Sequence, residues 1–372
     1  MGISKLSVKQ PWTAVWTPGV NLANFFALYD SKGDVTISVA TSIPTTLDGP
    51  IQVARYGALT VNAAVTVSQR CRGLIVLSES LSVGAAGSIS MTARGAAGAS
   101  NWAVDKDIFV PQAITFSGKN TSYADFLKWI RTTGYCIFDP SLYACPSTGL
   151  GDVTCDWATW TPYGSTIISA AGCGVGAVGK YIGAGNAGGA GSQGPGGGGS
   201  GGNYNAGYSI SGAKGRPWGG GSGSAGGNIT PQVPPDYYGG PGGNSAVSSS
   251  VSGGGGAGNP GGAGVSGGSS GADGTGGVLL VICRGNVSLT TGHTFVSHGS
   301  NGGAATGQAY NCGGAASGAG FLGLYYAGAL TGTPSMTANG GTGGIGTATA
   351  YNGGAGGAGK TEAKPFATMG WS

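Results

Sequence analysis

A phosphate-binding loop is the first chemistry that the residue types suggest. Residues 354–361 spell Gly-Ala-Gly-Gly-Ala-Gly-Lys-Thr, the spacing in which backbone N–H groups cradle phosphates and the lysine reaches them. Such a loop lies between a buried strand and a helix. Here no apolar run precedes it, and Pro365 stands where the helix should continue. Because glycine is so abundant in this chain, the string arises easily by chance, and we predict no nucleotide site.

Metal and acid–base chemistry have few candidate side chains. The two histidines, His293 and His298, have no Asp, Glu or Cys beside them, which favours turn or surface histidines over a metal pair. Asp139, Asp152 and Asp156 could supply a glycosidase-type pair of carboxylates, but no motif surrounds them. We therefore predict no catalytic residue, no metal and no cofactor, and a protein that is not an enzyme.

The 7 cysteines form no C-x-x-C pair, which excludes a zinc ribbon and a thioredoxin-like motif. Four of them lie between Cys136 and Cys173. Two interpretations stay open for this group: disulfides within it, or small buried apolar residues.

Aromatic residues interrupt the glycine-rich half of the chain. Tyr and Trp supply large, stiff contact area, as recognition surfaces require. They could equally fill gaps between glycine segments, so both interpretations stay open for each residue. The candidates for receptor binding are Tyr204, Tyr208, Trp218, Tyr237 and Tyr238.

The glycines themselves predict how the second half is held together. Of 82 glycines, 67 fall in residues 171–372, where they recur at every third position, as in Gly185, Gly188, Gly191, Gly194 and Gly197. A polyproline-II helix has three residues per turn, so one of its faces would carry only glycine. Such faces let backbones approach until N–H and C=O groups pair across the gap. We expect several short helices of this kind, folded back on one another. A flexible Gly/Ser linker is the alternative.

An internal repeat runs beneath the glycine pattern. Residues 73–77 resemble 277–281, residues 90–95 resemble 335–340, and copies start near Gly73, Gly277 and Phe321. Units that cannot bury their own apolar face are typical of solenoids. Alternation predicts strands over 52–61 and 64–67, and a capped apolar face predicts one helix over 123–131.

The fold class that follows is mostly β, with β-solenoid-like strand repeats, glycine-rich polyproline-II tracts and one short helix in an insertion. We expect five segments: an N-terminal docking or capping segment (1–48), a strand region with the first repeat unit (49–98), a Cys-bearing insertion with the helix (99–170), a glycine-rich polyproline-II region with aromatic loops (171–276), and the second and third repeat units (277–372).

Composition excludes several partners. Only 8% of residues are charged and the net charge is +4, which argues against a nucleic-acid-binding face. The longest apolar run, residues 278–283, is far too short for a membrane span. The first residues lack the apolar stretch of a secretory signal.

Residues 90–95, the three-residue glycine tracts and the strand repeats ending in Asn-Gly-Gly together resemble glycine-rich tail-fibre and tail-tip proteins of tailed bacteriophages. The tracts with aromatic interruptions resemble the polyglycine-sandwich domain of their receptor-binding adhesins. The resemblance implies packed glycine helices that hold distal loops against a host receptor. The resemblance covers residues 171–372 by their general style of sequence and residues 73–98 by a shared motif. The interleaved strand repeats depart from a pure sandwich.

On this resemblance, the expected function is attachment of a phage tail to the host surface through aromatic loops on a glycine-rich scaffold. The expected partners are other tail or fibre proteins, through the N-terminal part, and a surface glycan or outer-surface protein. We expect a homo-oligomer, for which a trimer is one possibility. Its expected location is the virion tail, which is extracellular after release. The alternative is a purely structural virion, filament or surface-layer subunit. Ice binding is disfavoured by the irregular aromatic loops.

Overall fold

The computed structural model of the protein is mostly β. The described residues are 22–27, 29–49, 51–71, 73–96, 119–122, 154–156, 174–179, 181–192, 194–204, 211–213, 215, 219–226, 242, 253–265, 267–305 and 311–369.

The larger sheet has eight strands, and all of its pairings are parallel. Six strands form its path in chain order, and two shorter strands, β10 and β13, extend it beside β5. The eight are β1 (Val35–Ile37), β3 (Gln52–Val61), β5 (Leu74–Val83), β9 (Val278–Cys283), β10 (Val287–Leu289), β12 (Phe321–Tyr326), β13 (Leu330–Thr331) and β15 (Thr361–Pro365).

The second sheet has five strands and is also parallel. Each of its strands follows a strand of the larger sheet along the chain, so the two sheets carry the successive units in the same order. They are β2 (Thr41–Ile43), β4 (Ala64–Val67), β6 (Ser88–Ser90), β11 (Thr294–Val296) and β14 (Met336–Thr337). A separate antiparallel pair joins β7 (Lys119–Ser122) to β8 (Thr154–Asp156).

The apolar core lies between the two parallel sheets. Alternate residues of β3 and β5 meet alternate residues of β4 and β6 there. Strand β9 is buried at every position, which is typical of a parallel strand covered on both faces. The predicted strands over 52–61 and 64–67 are confirmed as β3 and β4.

The repeat brings its three copies together but in a different register. Strands β5, β9 and β12, which begin next to the predicted starts, are neighbours in one sheet. The alignment of Leu74 with Val278 is wrong by one residue, since Leu74 pairs with Leu279. Likewise Ile89, and not Met91, is level with Met336. Because β9 is buried on both faces, its apolar pattern carries no information about register.

Two short helices flank the sheets: α1 (Leu22–Ala27) and α2 (Phe366–Met369), and a 3-10 turn covers Thr349–Tyr351. The sequence did not predict them. The predicted helix over 123–131 lies outside the described residues. None of the helices in the described part of the chain is long and apolar enough to span a bilayer.

The glycine tracts are joined to one another by backbone hydrogen bonds rather than by side chains. In tract 311–320, successive N–H groups donate to three different neighbouring tracts, and the cycle repeats every three residues at N···O distances of 2.8–3.0 Å. Its carbonyls accept from three further tracts with the same three-residue period. The donors reach residues 351–357, 297–303 and 221–224, and the carbonyls accept from 254–257, 196–202 and 341–344.

This arrangement gives tract 311–320 six neighbours, and all of its residues are buried. Outer tracts show the same period in their exposure: Val175, Val178 and Tyr181 are exposed at three-residue spacing. The described tracts are therefore a packed structure, which argues against the flexible-linker alternative. The run from Gly176 to Gly197 is divided by turns into tracts 174–179, 183–192 and 194–203.

Most tract glycines leave no room for a side chain. A Cβ on Gly188 would lie 2.6 Å from the carbonyl carbon of Gly197, and one on Gly261 would lie 2.7 Å from that of Gly271. At Gly189 the nearest atom would be a methyl carbon of Val175, at 2.9 Å. The three-residue phase of Gly185, Gly188 and Gly191 would place Gly189 on an outward face, but this glycine is half-buried and donates to Val175.

Candidate recognition end of the glycine bundle

The sheets mark one end of the glycine bundle. Three tracts run directly into strands of the larger sheet, where Gly277 precedes β9, Gly320 precedes β12 and Lys360 precedes β15. We refer to the opposite end of these tracts, away from the junctions with the sheet, as the far end of the bundle. Any side chains presented there are held by the backbone lattice and not by a flexible loop.

Two tyrosine rings meet at the far end. Tyr204 follows tract 194–203, and Tyr351 closes the 3-10 turn between two tracts. Their ring centroids are 5.2 Å apart with an interplanar angle of 86°, the edge-to-face geometry that aromatic pairs prefer. The backbone beside them is fixed, since Gly202 donates to Gly313 and Gly313 donates to Tyr351.

Asparagine side chains hold the turns around this pair. Asn203 Nδ2 donates to the carbonyl of Tyr181, and the Gly183 N–H donates to the Asn203 carbonyl at 2.6 Å. In the neighbouring turn, Asn352 Oδ1 accepts from the Gly346 N–H at 2.8 Å. The Asn203 contacts join the 181–183 turn to the end of tract 194–203, and the Tyr204–Tyr351 pair connects both to the 346–352 turn, so that the three form one corner.

Apolar side chains at this corner reach into solvent. Tyr181 is 49% exposed and Ile345 is 67% exposed, and Ile182 is similarly open. Their backbones are close in the fold to the half-buried Tyr204 and Tyr351, since Asn203 contacts the Tyr181 carbonyl and Gly346, next to Ile345, contacts Asn352. Exposed apolar groups beside rigid aromatic rings and amide-held turns form the kind of surface that binds a sugar face or a protein loop.

The sequence predicted one member of this corner, Tyr204. Tyr208, Trp218, Tyr237 and Tyr238 lie outside the described residues. The described residue next to Trp218 is Gly219, which forms a bridge with Gly277 at the sheet end.

Three residues of the corner were missed as candidates: Tyr181, Ile345 and Tyr351. The available signal was the large side chain beside a break in the three-residue glycine period. Sequence distance concealed the cluster, because Tyr181 and Tyr351 come together only when separate tracts pack.

The apparent phosphate-binding loop is part of the lattice. The N–H groups of Gly354 and Gly357 donate to the carbonyls of Ser200 and Gly197 at 2.8 and 2.7 Å. Thr361 begins strand β15 where a phosphate-binding loop would begin a helix. These amides are thus committed to protein carbonyls.

The two histidines contact backbone groups. His293 is buried at the end of the 290–293 turn, as a turn histidine and not as a surface one, and His298 is half-buried. Cys71 and Cys283 are buried free thiols, and burial raises the pKa of Cys71 to about 11. Within the described part of the chain, no three potential metal ligands cluster.

The remaining candidates of the Cys-bearing insertion are only partly described. Cys155 and Asp156 lie in strand β8, whereas Cys136, Asp139 and Asp152 lie outside the described residues. No known protein family, curated protein or solved structure matches the chain.

Proposed function

We propose that this chain is an attachment protein, and that its far end contacts the target surface. The observation that supports this most directly is the Tyr204–Tyr351 corner with exposed Tyr181 and Ile345 beside it. A backbone-bonded scaffold offers few side chains for recognition, so specificity must come from the residues at its ends. The described residues of the corner are uncharged, which suits a neutral glycan stacked on rings or an apolar protein loop.

The fold supports a finer interpretation of the scaffold. The three-residue period of hydrogen bonding and of exposure is that of polyproline-II helices, and we infer that the tracts have this geometry. Successive units that contribute neighbouring parallel strands to two sheets are compatible with a β-solenoid. The solenoid would then anchor the glycine bundle.

Together with the resemblance to phage tail-fibre and tail-tip proteins, this architecture supports a place at the tail of a virion, with no catalytic role. Other tail or fibre proteins, a host glycan or outer-surface protein, and further copies of the chain are the proposed partners. Electron microscopy of native particles labelled with an antibody to this chain tests the location. Label away from the tail would contradict it.

A structural filament or surface-layer subunit is the second candidate. It is favoured by the exposed stripe of Val175 and Val178 along an outer tract, which could pack against another copy. Under this alternative, lateral association would depend on Val178, while the far-end tyrosines would be dispensable.

One set of variants distinguishes the two candidate functions. In intact particles, Tyr204→Ala and Tyr351→Ala should each reduce adsorption to host cells by at least tenfold, because a few aromatic residues usually dominate binding energy. Val178→Ser is the matched control and should adsorb normally. Unfolding midpoints of the purified variants show that loss of adsorption is not loss of folding.

Variants of Tyr208, Trp218, Tyr237 and Tyr238 complete the set. If recognition uses the far end alone, Trp218→Ala should leave adsorption unchanged, because the adjacent Gly219 forms a bridge with Gly277 at the sheet end. Normal adsorption by all of the tyrosine variants would overturn the attachment proposal, and loss of assembly in Val178→Ser would support the structural one.

A further inference from the structure

The 2 histidines of the chain contact the same short segment. The Ser335 N–H donates to His293 Nε2 at 3.1 Å, and the Asn339 N–H donates to His298 Nδ1 at 3.0 Å. Both imidazoles therefore act as acceptors for backbone amides of residues 335–339. An imidazole nitrogen can accept a hydrogen bond only while it carries no proton.

His293 makes two hydrogen bonds through its ring nitrogens. Because its Nε2 accepts from Ser335, its hydrogen is on Nδ1, which donates to the Thr290 carbonyl at 2.7 Å. The ring is 2% exposed and packs edge-to-face on Phe295 at 5.5 Å. A proton on Nε2 would face the Ser335 N–H, donor against donor, in a buried site.

His298, five residues further along the chain, makes a similar pair of contacts. Its Nδ1 accepts from Asn339, and its Nε2 lies 3.4 Å from Thr337 Oγ1. Burial lowers the pKa of His298. Among the described residues, the groups that contact the two rings from β11, from the 290 turn and from segment 335–339 are hydroxyl, amide, carbonyl and aromatic groups, without an acid or a base.

The segment that the histidines hold is an edge. It contains β14, which pairs in the second sheet with β11 alone. Three further bonds from the β11 side support it, in which the N–H groups of Phe295, Ser297 and Gly299 donate to the carbonyls of Ser335, Thr337 and Asn339. On its other side, the Gly359 N–H donates to the Ala338 carbonyl at 2.9 Å. Tract 340–346 follows directly, so release of β14 would also loosen one outer tract of the bundle.

We propose that His293 and His298 form an acid-sensitive clasp, which holds residues 335–339 against β11 when both are neutral and releases them when both are protonated. The closed clasp excludes the proton and the open one binds it. Its stability is therefore complete above the ordinary histidine pKa, about 6.5, and falls as the pH drops below that value.

Amide hydrogen exchange of the full chain, followed residue by residue and corrected for the intrinsic effect of pH, tests the clasp. Between pH 7.5 and pH 5.0, protection of the Ser335 and Asn339 amides should fall at least tenfold. The Leu322 amide, in the interior of the larger sheet, serves as the internal reference and should change less than twofold. Equal behaviour of the edge and reference amides would overturn the proposal.

A paired variant identifies the titrating groups. In His293→Gln/His298→Asn, the side-chain oxygens can still accept from Ser335 and Asn339 but cannot take up a proton near neutral pH. Loss of the pH dependence in this variant supports the clasp. Persistence of the wild-type pH dependence assigns it to other groups and overturns the proposal. The half-exposed His298→Asn alone provides a milder variant, in which the pH dependence at Asn339 should disappear and that at Ser335 should remain.

Discussion

At the scale of single residues, the absence of a Cβ is what permits the lattice. Gly188 illustrates this, since its own N–H donates to Ala355 while its Cα faces the carbonyl group of Gly197. The obstruction is backbone, held on both sides by further hydrogen bonds, so it cannot move aside as the end of a side chain could.

Gly188→Ala should consequently destabilise the protein by about 3 kcal/mol through overpacking. Its neighbour Gly189 is the matched comparison: the new Cβ there would lie 2.9 Å from a Val175 methyl carbon and 3.1 and 3.2 Å from the Val175 backbone nitrogen and oxygen. These contacts are looser than those at Gly188, and we expect a smaller loss, about 1 kcal/mol. Denaturant unfolding of the two variants measures the difference. Equal losses would contradict the packing assigned to this tract.

At the scale of elements, buried serine hydroxyls accept from tract N–H groups that do not donate to a backbone carbonyl. Ser317 Oγ accepts from the Ser300 N–H at 2.8 Å and donates to the Gly274 carbonyl at 3.1 Å. Similarly, Ser224 Oγ accepts from the Gly201 N–H at 2.8 Å. The tracts thus depend on specific serines as well as on glycine spacing.

Removing one such hydroxyl should leave a buried N–H without its acceptor. Ser317→Ala is expected to cost about 1–3 kcal/mol for this reason, whereas Ser192→Ala, at an exposed turn, should stay within about 0.5 kcal/mol. Thermal or chemical unfolding of both variants provides the comparison. A neutral Ser317→Ala would mean that the Ser300 amide finds another acceptor.

The elements also show what could be predicted from the sequence. Strand β3 and strand β4 have one buried face, so their alternation marked their bounds, and the glycine period correctly indicated packed tracts. The register of β9 was not predictable, because a strand buried on both faces has no alternation. The corner of Tyr204 and Tyr351 depends on which tracts become neighbours, and a period of three fixes the face of a tract but not its partner.

At the scale of the whole molecule, the glycine bundle and the sheets are connected through continuous backbone segments. Tract 311–320 lies at the centre of six tracts and continues without interruption into β12, the neighbour of β9 and β15. Gly276 donates to Gly318 at the point where the bundle meets the sheet. Disruption at the centre should therefore spread in both directions.

Gly318→Ala tests this coupling. Its new Cβ would crowd the carbonyl group of Gly196, which is backbone and is held in place by the lattice. We expect the exchange of the Gly198 amide in the bundle and of the Val281 amide in the sheet to accelerate by a similar factor, at least tenfold. Ser192→Ala serves as the control and should leave both amides unchanged. Acceleration confined to Gly198 would show that the sheets are stable without the bundle, and the two parts would then unfold independently.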